Sequence, residues 1–241
     1  MLRAICAFIA LLVYSQFVDA AIANLSDDFQ SGEQGWAHGM RSVNPPFTTS
    51  GGPGGAGDDY LQVFSNGSGG ASGRWAVFNN TSATWTGDYL AAGIDQITAH
   101  VNNDPDNTGT SNLVNIRLGI STTAGSGTGQ FVTNAIAIAP GSGWVSVTWS
   151  LAPGDLIDIS GGSANAANVL MNVAELRFID NVTPVWVANP GTGEVTLGLD
   201  NVVGISAVPE PACTSMLAVG LAGFMVHRRR KLAARQVPDQ S

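Results

Sequence analysis

Trp144-Val145-Ser146-Val147-Thr148-Trp149 puts Trp144, Ser146 and Thr148 on one side of an extended chain and Val145, Val147 and Trp149 on the other. A helix would scatter the same residues around its axis, so this period of two predicts a half-buried strand over Trp144–Leu151. Working outward, the same grammar recurs. Short β-branched and aromatic runs stand near Tyr60–Phe64, Arg74–Phe78, Gln96–Val101, Val114–Ser121, Phe131–Ile138, Ala174–Ile179 and Val195–Ile205, separated by clusters of Gly, Ser, Asn and Thr. Ala164 to Met171 suits a short helix, while the glycine-rich stretches Gly51 to Gly57 and Gly67 to Gly73 read as loops. About eight or nine strands without a long helical period predict an all-β domain of two packed antiparallel sheets, a β-sandwich.

Short motifs punctuate these strands. Asp27-Asp28-Phe29 and Gly35-Trp36 open the domain, Asp59-Tyr60-Leu61 and Trp85-Thr86-Gly87-Asp88-Tyr89 follow, and Leu199-Asp200-Asn201-Val202 closes it. The succession resembles the jelly-roll sandwiches common in secreted bacterial proteins, including laminin-IV-like and galactose-binding-like domains. In many such domains a structural calcium ties the first strand to the last. The resemblance therefore implies a metal site on Asp28 and Asp200, with backbone carbonyls completing the shell.

Both ends differ in composition from this middle. Residues 1–23 read as a signal peptide, with Arg3 as the positive region, Ala4 to Val13 as the apolar core, and small-residue cleavage patterns ending at Ala20 and at Ala23. An uncleaved anchor is the alternative, but ten apolar residues do not cross a hydrocarbon core of about 30 Å. At the other end Pro209-Glu210-Pro211 precedes the uncharged run Ala212 to Val226, which predicts a single apolar helix, and then His227-Arg228-Arg229-Arg230-Lys231. The basic cluster Arg228, Arg229, Arg230 and Lys231 sits where cytoplasmic anchoring charge belongs, leaving everything before it outside the cytoplasm. A plain membrane anchor has the same parts.

The order Pro-Glu-Pro, apolar helix, arginine cluster over 208–231 resembles the PEP-CTERM sorting signal of Gram-negative bacteria. In that family an exosortase at the inner membrane recognises the segment, cuts near the motif and removes the helix. The resemblance thus implies that Pro209, Glu210 and Pro211 form the recognition site. It also implies export by the secretion machinery and signal peptidase, an inner-membrane intermediate, and an end state at the outer surface or in an exopolysaccharide matrix or biofilm. Residues 232–241 form a cytoplasmic tail in this scheme, longer than such tags usually carry.

What remains, 24–207, is long enough for one domain with a substantial core. Its four basic residues, Arg41, Arg74, Arg117 and Arg177, stand against fifteen acidic ones, a formal charge of −11 compared with −8 for the whole chain. Such a domain repels nucleic acid, which excludes that class of partner. Cys6 and Cys213 both fall in the end segments, so the domain holds neither a disulfide nor a thiolate metal site.

Catalytic signals are absent from the sequence. Asp58, Asp59, Asp88, Glu175 and Asp180 are carboxylates of the kind a glycoside-active enzyme would pair, but none stands in a catalytic motif. His38 and His100 are too far apart in sequence to form a local metal pair. The Asn102–Gly109 loop is oxygen-rich yet breaks the EF-hand frame at Thr108 and Asn115, and reads as an Asx-rich turn. All six tryptophans lie in the domain, and Trp85, beside Asp88 and Tyr89, is the ligand-binding candidate for stacking on a sugar. Three functions fit: a non-enzymatic surface or matrix protein, a carbohydrate-binding module, and an extracellular glycoside-active enzyme. No cofactor is expected beyond the calcium.

Overall fold

A computed structural model describes residues 25–39, 46–67, 75–109, 111–123, 129–162, 164–188 and 193–206. The predicted signal peptide and the whole sorting segment lie outside the described residues. Among the described ones, no helix is long and apolar enough to cross a membrane.

Thirteen strands and one helix appear there: β1 (Leu25–Asp27), β2 (Trp36–His38), β3 (Phe47–Gly52), β4 (Gly55–Ser65), β5 (Ala76–Asn79), β6 (Ile94–Asn103), β7 (Val114–Ser121), β8 (Gln130–Val132), β9 (Ile136–Ile138), β10 (Trp144–Ser150), β11 (Ile157–Asp158), α1 (Ala166–Leu170), β12 (Glu175–Asp180) and β13 (Val195–Ser206). They form two antiparallel sheets. Sheet A runs β10-β6-β13-β4-β3, with β1 beside β13, and sheet B runs β11-β8-β7-β12-β5-β2, with β9 beside β7. This is the jelly-roll type of sandwich the sequence predicts. All pairings are antiparallel, and each sheet turns one face to a shared core.

The dry faces meet in one core. Leu61 and Val63, Ile97, Ala99 and Val101, Val147 and Trp149, and Leu197 and Leu199 point in from sheet A. Ile116, Leu118 and Ile120, with Leu176 and Phe178, answer from sheet B. The alternation read in Trp144–Trp149 holds, for Val147 and Trp149 are buried while Ser146 and Thr148 are exposed.

Two features of sheet A position the site. Between Asp200 and Val203 the register of β13 on β6 slips, so Asn201 and Val202 share the space opposite Ala99. Asn201 adopts φ 47°, a left-handed conformation that asparagine tolerates, and the bulge returns Val202 to the core. Second, Gly51–Gly57 is not a free loop, contrary to the sequence reading. Gly52 pairs with Gly55 across a tight turn, and Gly57 N–H donates to Ser50 Oγ at 2.9 Å, so the stretch is the tip of the β3–β4 hairpin. Phe131–Ile138 is likewise two strands rather than one, because Thr133 leaves the line to bond Leu118 through both its N–H and its hydroxyl.

Candidate functional site

The first and last strands converge on an acidic corner. Asp200 lies on the outer face of sheet A, opposite His100, yet it is fully buried because the glycine tip of the β3–β4 hairpin folds over it. A Cβ added to Gly52 would stand 2.6 Å from Asp58 Oδ2 and 3.0 Å from Asp200 Oδ2, so only glycine lets the tip approach this closely. Asp200 Oδ1 accepts from Asn201 N–H at 2.7 Å, and Asp58 Oδ2 from Gly54 N–H at 2.6 Å. Burial pushes the Asp200 carboxyl up to about 7; the Asn201 N–H pulls the other way, and the charges of Asp58 and Asp28 add to the rise. Asp58 and Asp200 thus approach each other under the tip, and Asp28 is near enough for its charge to be felt.

Oxygens also converge beside it. Gln30 Nε2 stands 3.2 Å from Asp28 O, 3.1 Å from Asp58 Oδ1 and 3.0 Å from Asp59 O. An amide nitrogen has two hydrogens, so it satisfies two of these three acceptors at once. Two main-chain carbonyls and a carboxylate around one point are hard oxygen donors of the kind calcium takes, and that point now holds the Gln30 amide nitrogen. Side chains alone do not supply it: among the described residues no three His, Cys, Asp or Glu are grouped to hold a metal ion.

Trp85 must be reassigned. It is fully buried, and its indole N–H donates to Asp27 Oδ2 at 2.5 Å, the same oxygen that takes Trp36 Nε1–H at 2.6 Å. Trp36 and Trp85 rings pack 5.8 Å apart. Burial raises the Asp27 carboxyl, and the Trp85 and Trp36 donors only partly offset it. Trp85 thus secures β1 to the core and has no free face for a sugar.

The exposed aromatics lie elsewhere. Strand pairing puts Trp144, Asn102, Gly198, Gln62 and Phe47 in one row across the outer face of sheet A, from β10 to β3. Phe64 sits two residues along β4, on the same face. Phe47 is 49% exposed and Phe64 37%, the most exposed aromatic side chains among the described residues. Trp144 leans from β10 across the row to β13. It meets Tyr60 edge-on at 5.0 Å, and its Nε1–H donates to Gly51 O at 3.1 Å. This needs Gly198, where a Cβ would stand 2.7 Å from Trp144 Cη2 and 3.0 Å from Tyr60. Gln62 donates to Asp106, and burial together with the Asp106 charge raises the Tyr60 phenol to about 12. Asn102 Oδ1 and His100 Nδ1 are buried on this face without hydrogen-bond partners.

Three of the remaining candidate carboxylates have local partners. Glu175 is fully buried and bridges Arg177 at 2.5 Å, Asp180 Oδ1 accepts from Asn115 N–H at 2.7 Å, and Asp88 Oδ1 from Ala91 N–H at 2.8 Å. The Asn102–Gly109 segment is the Asx turn the sequence predicts. Burial would raise Asp104, but donors from Gly109 N–H and from the Thr108 hydroxyl and N–H outweigh it and lower the carboxyl. His38 is fully buried on β2, far along the chain from His100 on β6. Pro209, Glu210, Pro211 and the basic cluster lie outside the described residues.

No family model matches the chain, and no curated protein does. Among solved structures it is similar to a family 11 carbohydrate-binding module from Clostridium thermocellum in complex with a β-1,3-1,4-mixed-linked tetrasaccharide, at 16% identity over 75% of this chain and 94% of that one, with TM-score 0.49. It is also similar to a CBM22 xylan-binding domain from Paenibacillus barcinonensis, at 13% identity over 75% of this chain and 98% of that one, with TM-score 0.44. With identities this low and scores below 0.5, neither likeness bears on what this chain binds.

Proposed function

We propose that the chain is a non-catalytic polysaccharide-binding protein, and that the outer face of sheet A is its binding face. One observation carries this: Phe47, Phe64 and Trp144 share a face with the amides of Gln62 and Asn102. Keeping two phenyl rings in water is unfavourable unless something covers them, and exposed apolar groups set among polar ones mark binding surfaces. Pyranose rings suit such a surface, since their C–H faces cover aromatic rings while their hydroxyls reach the amides. Pull-down on a panel of insoluble polysaccharides tests it. The Phe47→Ala/Phe64→Ala double variant is expected to lose at least about tenfold in affinity, the effect of about 1.4 kcal/mol. Undiminished binding by that variant would remove the face from consideration.

Export and sorting complete the proposal. The terminal segments support delivery across the inner membrane and handover to an exosortase, with release or display in an exopolysaccharide matrix. Mass spectrometry of surface material should then find a C-terminus near Pro209 to Pro211. Chains that still carry Arg228 to Arg230 at the outer surface would contradict processing. At the acidic corner, the Asp28 and Asp59 carbonyls and the Asp58 carboxylate, which converge on Gln30 Nε2, would hold a calcium ion in place of that amide, with the Asp28 and Asp200 charges nearby. Bound there, the ion neutralises the repulsion among the three carboxylates and fixes the hairpin tip on which Trp144 rests.

A further inference from the structure

Among the described residues the binding face carries hydrogen-bond acceptors and no lysine or arginine. Asn102 Oδ1 is buried and unpartnered on a side chain only 9% exposed. His100 Nδ1, two residues earlier on the same strand and face, is also buried and unpartnered. Asp106 adds a carboxylate on an exposed residue, close enough to raise the Tyr60 phenol. The only arginines among the described residues, Arg117 and Arg177, belong to β7 and β12 of sheet B and are hydrogen-bonded there.

We propose that this face selects glycans bearing free primary amines, whose ammonium groups and hydroxyls donate to Asn102 Oδ1 and Asp106, over neutral glucans, and rejects chains of uronates. The proposal rests on the polysaccharide-binding reading of the same face. A donor that reaches a buried unpaired acceptor gains more than one that replaces surface water, because the acceptor has already lost its own hydration. An ammonium beside Asp106 gains a charge-assisted bond, whereas a uronate carboxylate finds only like charge. A lysine-rich peptide also carries ammonium groups, but the exposed rings of Phe47 and Phe64 favour the broad apolar faces of sugar rings over a flexible alkyl chain.

Calorimetric titration of the full-length chain with four hexamers separates these cases: β-1,4-linked glucosamine, β-1,4-linked glucose, a hexuronate and lysine. At about 50 mM salt the glucosamine hexamer is expected to bind about tenfold tighter than the glucose hexamer, with the gap narrowing at about 300 mM and the uronate giving no heat. Asp106→Asn, on an exposed loop and melting like the parent, should lower glucosamine affinity about fivefold and glucose affinity less. Asn102→Leu should weaken both. Equal affinity for the glucosamine and glucose hexamers, or measurable uronate binding, overturns the proposal and leaves the glycan reading standing. Silence from all three sugars removes the glycan reading as well. Hexalysine binding as tightly as hexaglucosamine shows an unspecific cation patch and also overturns the proposal.

Discussion

The two outer faces of the sandwich have opposite characters. On sheet B the segment 181–188 lies over the strands: Trp186 packs against Gly119 and Ile179, and Arg117 donates to the carbonyls of Asn181, Thr133 and Val182. Arg177 is held between the rings of Trp186 at 4.7 Å and Phe78 at 5.2 Å while it bridges Glu175. Charge, aromatic surface and backbone acceptors there satisfy one another. Sheet A instead leaves phenyl rings exposed and an amide oxygen unpaired. A face that is internally complete serves stability, and one that is internally incomplete is available to a ligand.

The largest effect should come from breaking the sealed face. Arg117→Met removes the donor to three carbonyls at once and deprives those of the buried residues Asn181 and Thr133 of it. A loss of about 3 kcal/mol in unfolding free energy is expected by denaturant titration. Polysaccharide affinity of the folded fraction should stay at the parental value. A variant of parental stability would show the 181–188 segment to be held by Trp186 packing alone.

Gly198→Ala attacks the open face where Trp144 crosses β13. The added methyl meets Trp144 and Tyr60 at 2.7–3.0 Å, so the indole must leave. A destabilisation of about 1–3 kcal/mol is expected, together with a blue-shifted loss of near-ultraviolet tryptophan signal. If the melting temperature and near-ultraviolet spectrum both match the parent, the Trp144–Tyr60 contact is not the constraint inferred here.

The sandwich was legible from the sequence, whereas the contrast between its outer faces was not, and the reasons are physical. Period two gave away β10 and the buried side of the strands, because half-burial imposes it along a whole strand. The metal reading of Asp28 and Asp200 came through resemblance, whereas the approach of Asp58 to Asp200 depends on a hairpin register that no local pattern reports. The three-residue strands β1 and β2 are too short to show a period at all. Gly52 and Gly55 looked like loop residues because glycine disfavours strands, yet here glycine is what lets the tip close on Asp200. Trp85 was singled out for its neighbours Asp88 and Tyr89, and the carboxylate that draws it inward is 58 residues away. Phe47 follows Pro45-Pro46 without any strand signal, so its place beside Gln62 could not be read.

A smaller effect separates the acidic corner from the rest of an acidic protein. Asp200 titrates near 7 in the folded chain and near 3.9 when unfolded, so between those values only the folded state keeps the proton. Stability from this group is complete below about pH 4 and is lost as pH rises through about 7. In chelator the melting temperature should therefore fall from acid to neutral pH. Saturating calcium, which replaces the proton, should flatten the fall and add about 2.7 kcal/mol at a hundredfold excess over Kd. General repulsion within a domain of charge −11 would give a similar trend, so Asp200→Asn is the control. A slope that persists unchanged in Asp200→Asn belongs to the whole surface rather than to this corner.

The smallest stability effect should accompany the loss of the exposed rings, and that is what makes it informative. Phe47 and Phe64 contribute little to the core, being 49% and 37% exposed, so Phe47→Ala and Phe64→Ala should each change unfolding free energy by no more than about 0.5 kcal/mol. Core aromatics replaced by alanine cost about 3–5 kcal/mol, and Trp149→Ala on the inner face of sheet A provides that reference in the same protein. If the two phenylalanines were instead structural, covering the hairpin from outside, their removal would shift the denaturation midpoint by a sizeable fraction of the Trp149→Ala shift. Denaturant titration of the three variants side by side decides between these roles. Parental midpoints combined with lost polysaccharide affinity place the rings on the ligand, whereas lowered midpoints return them to the fold and close the apparent gap between the two faces.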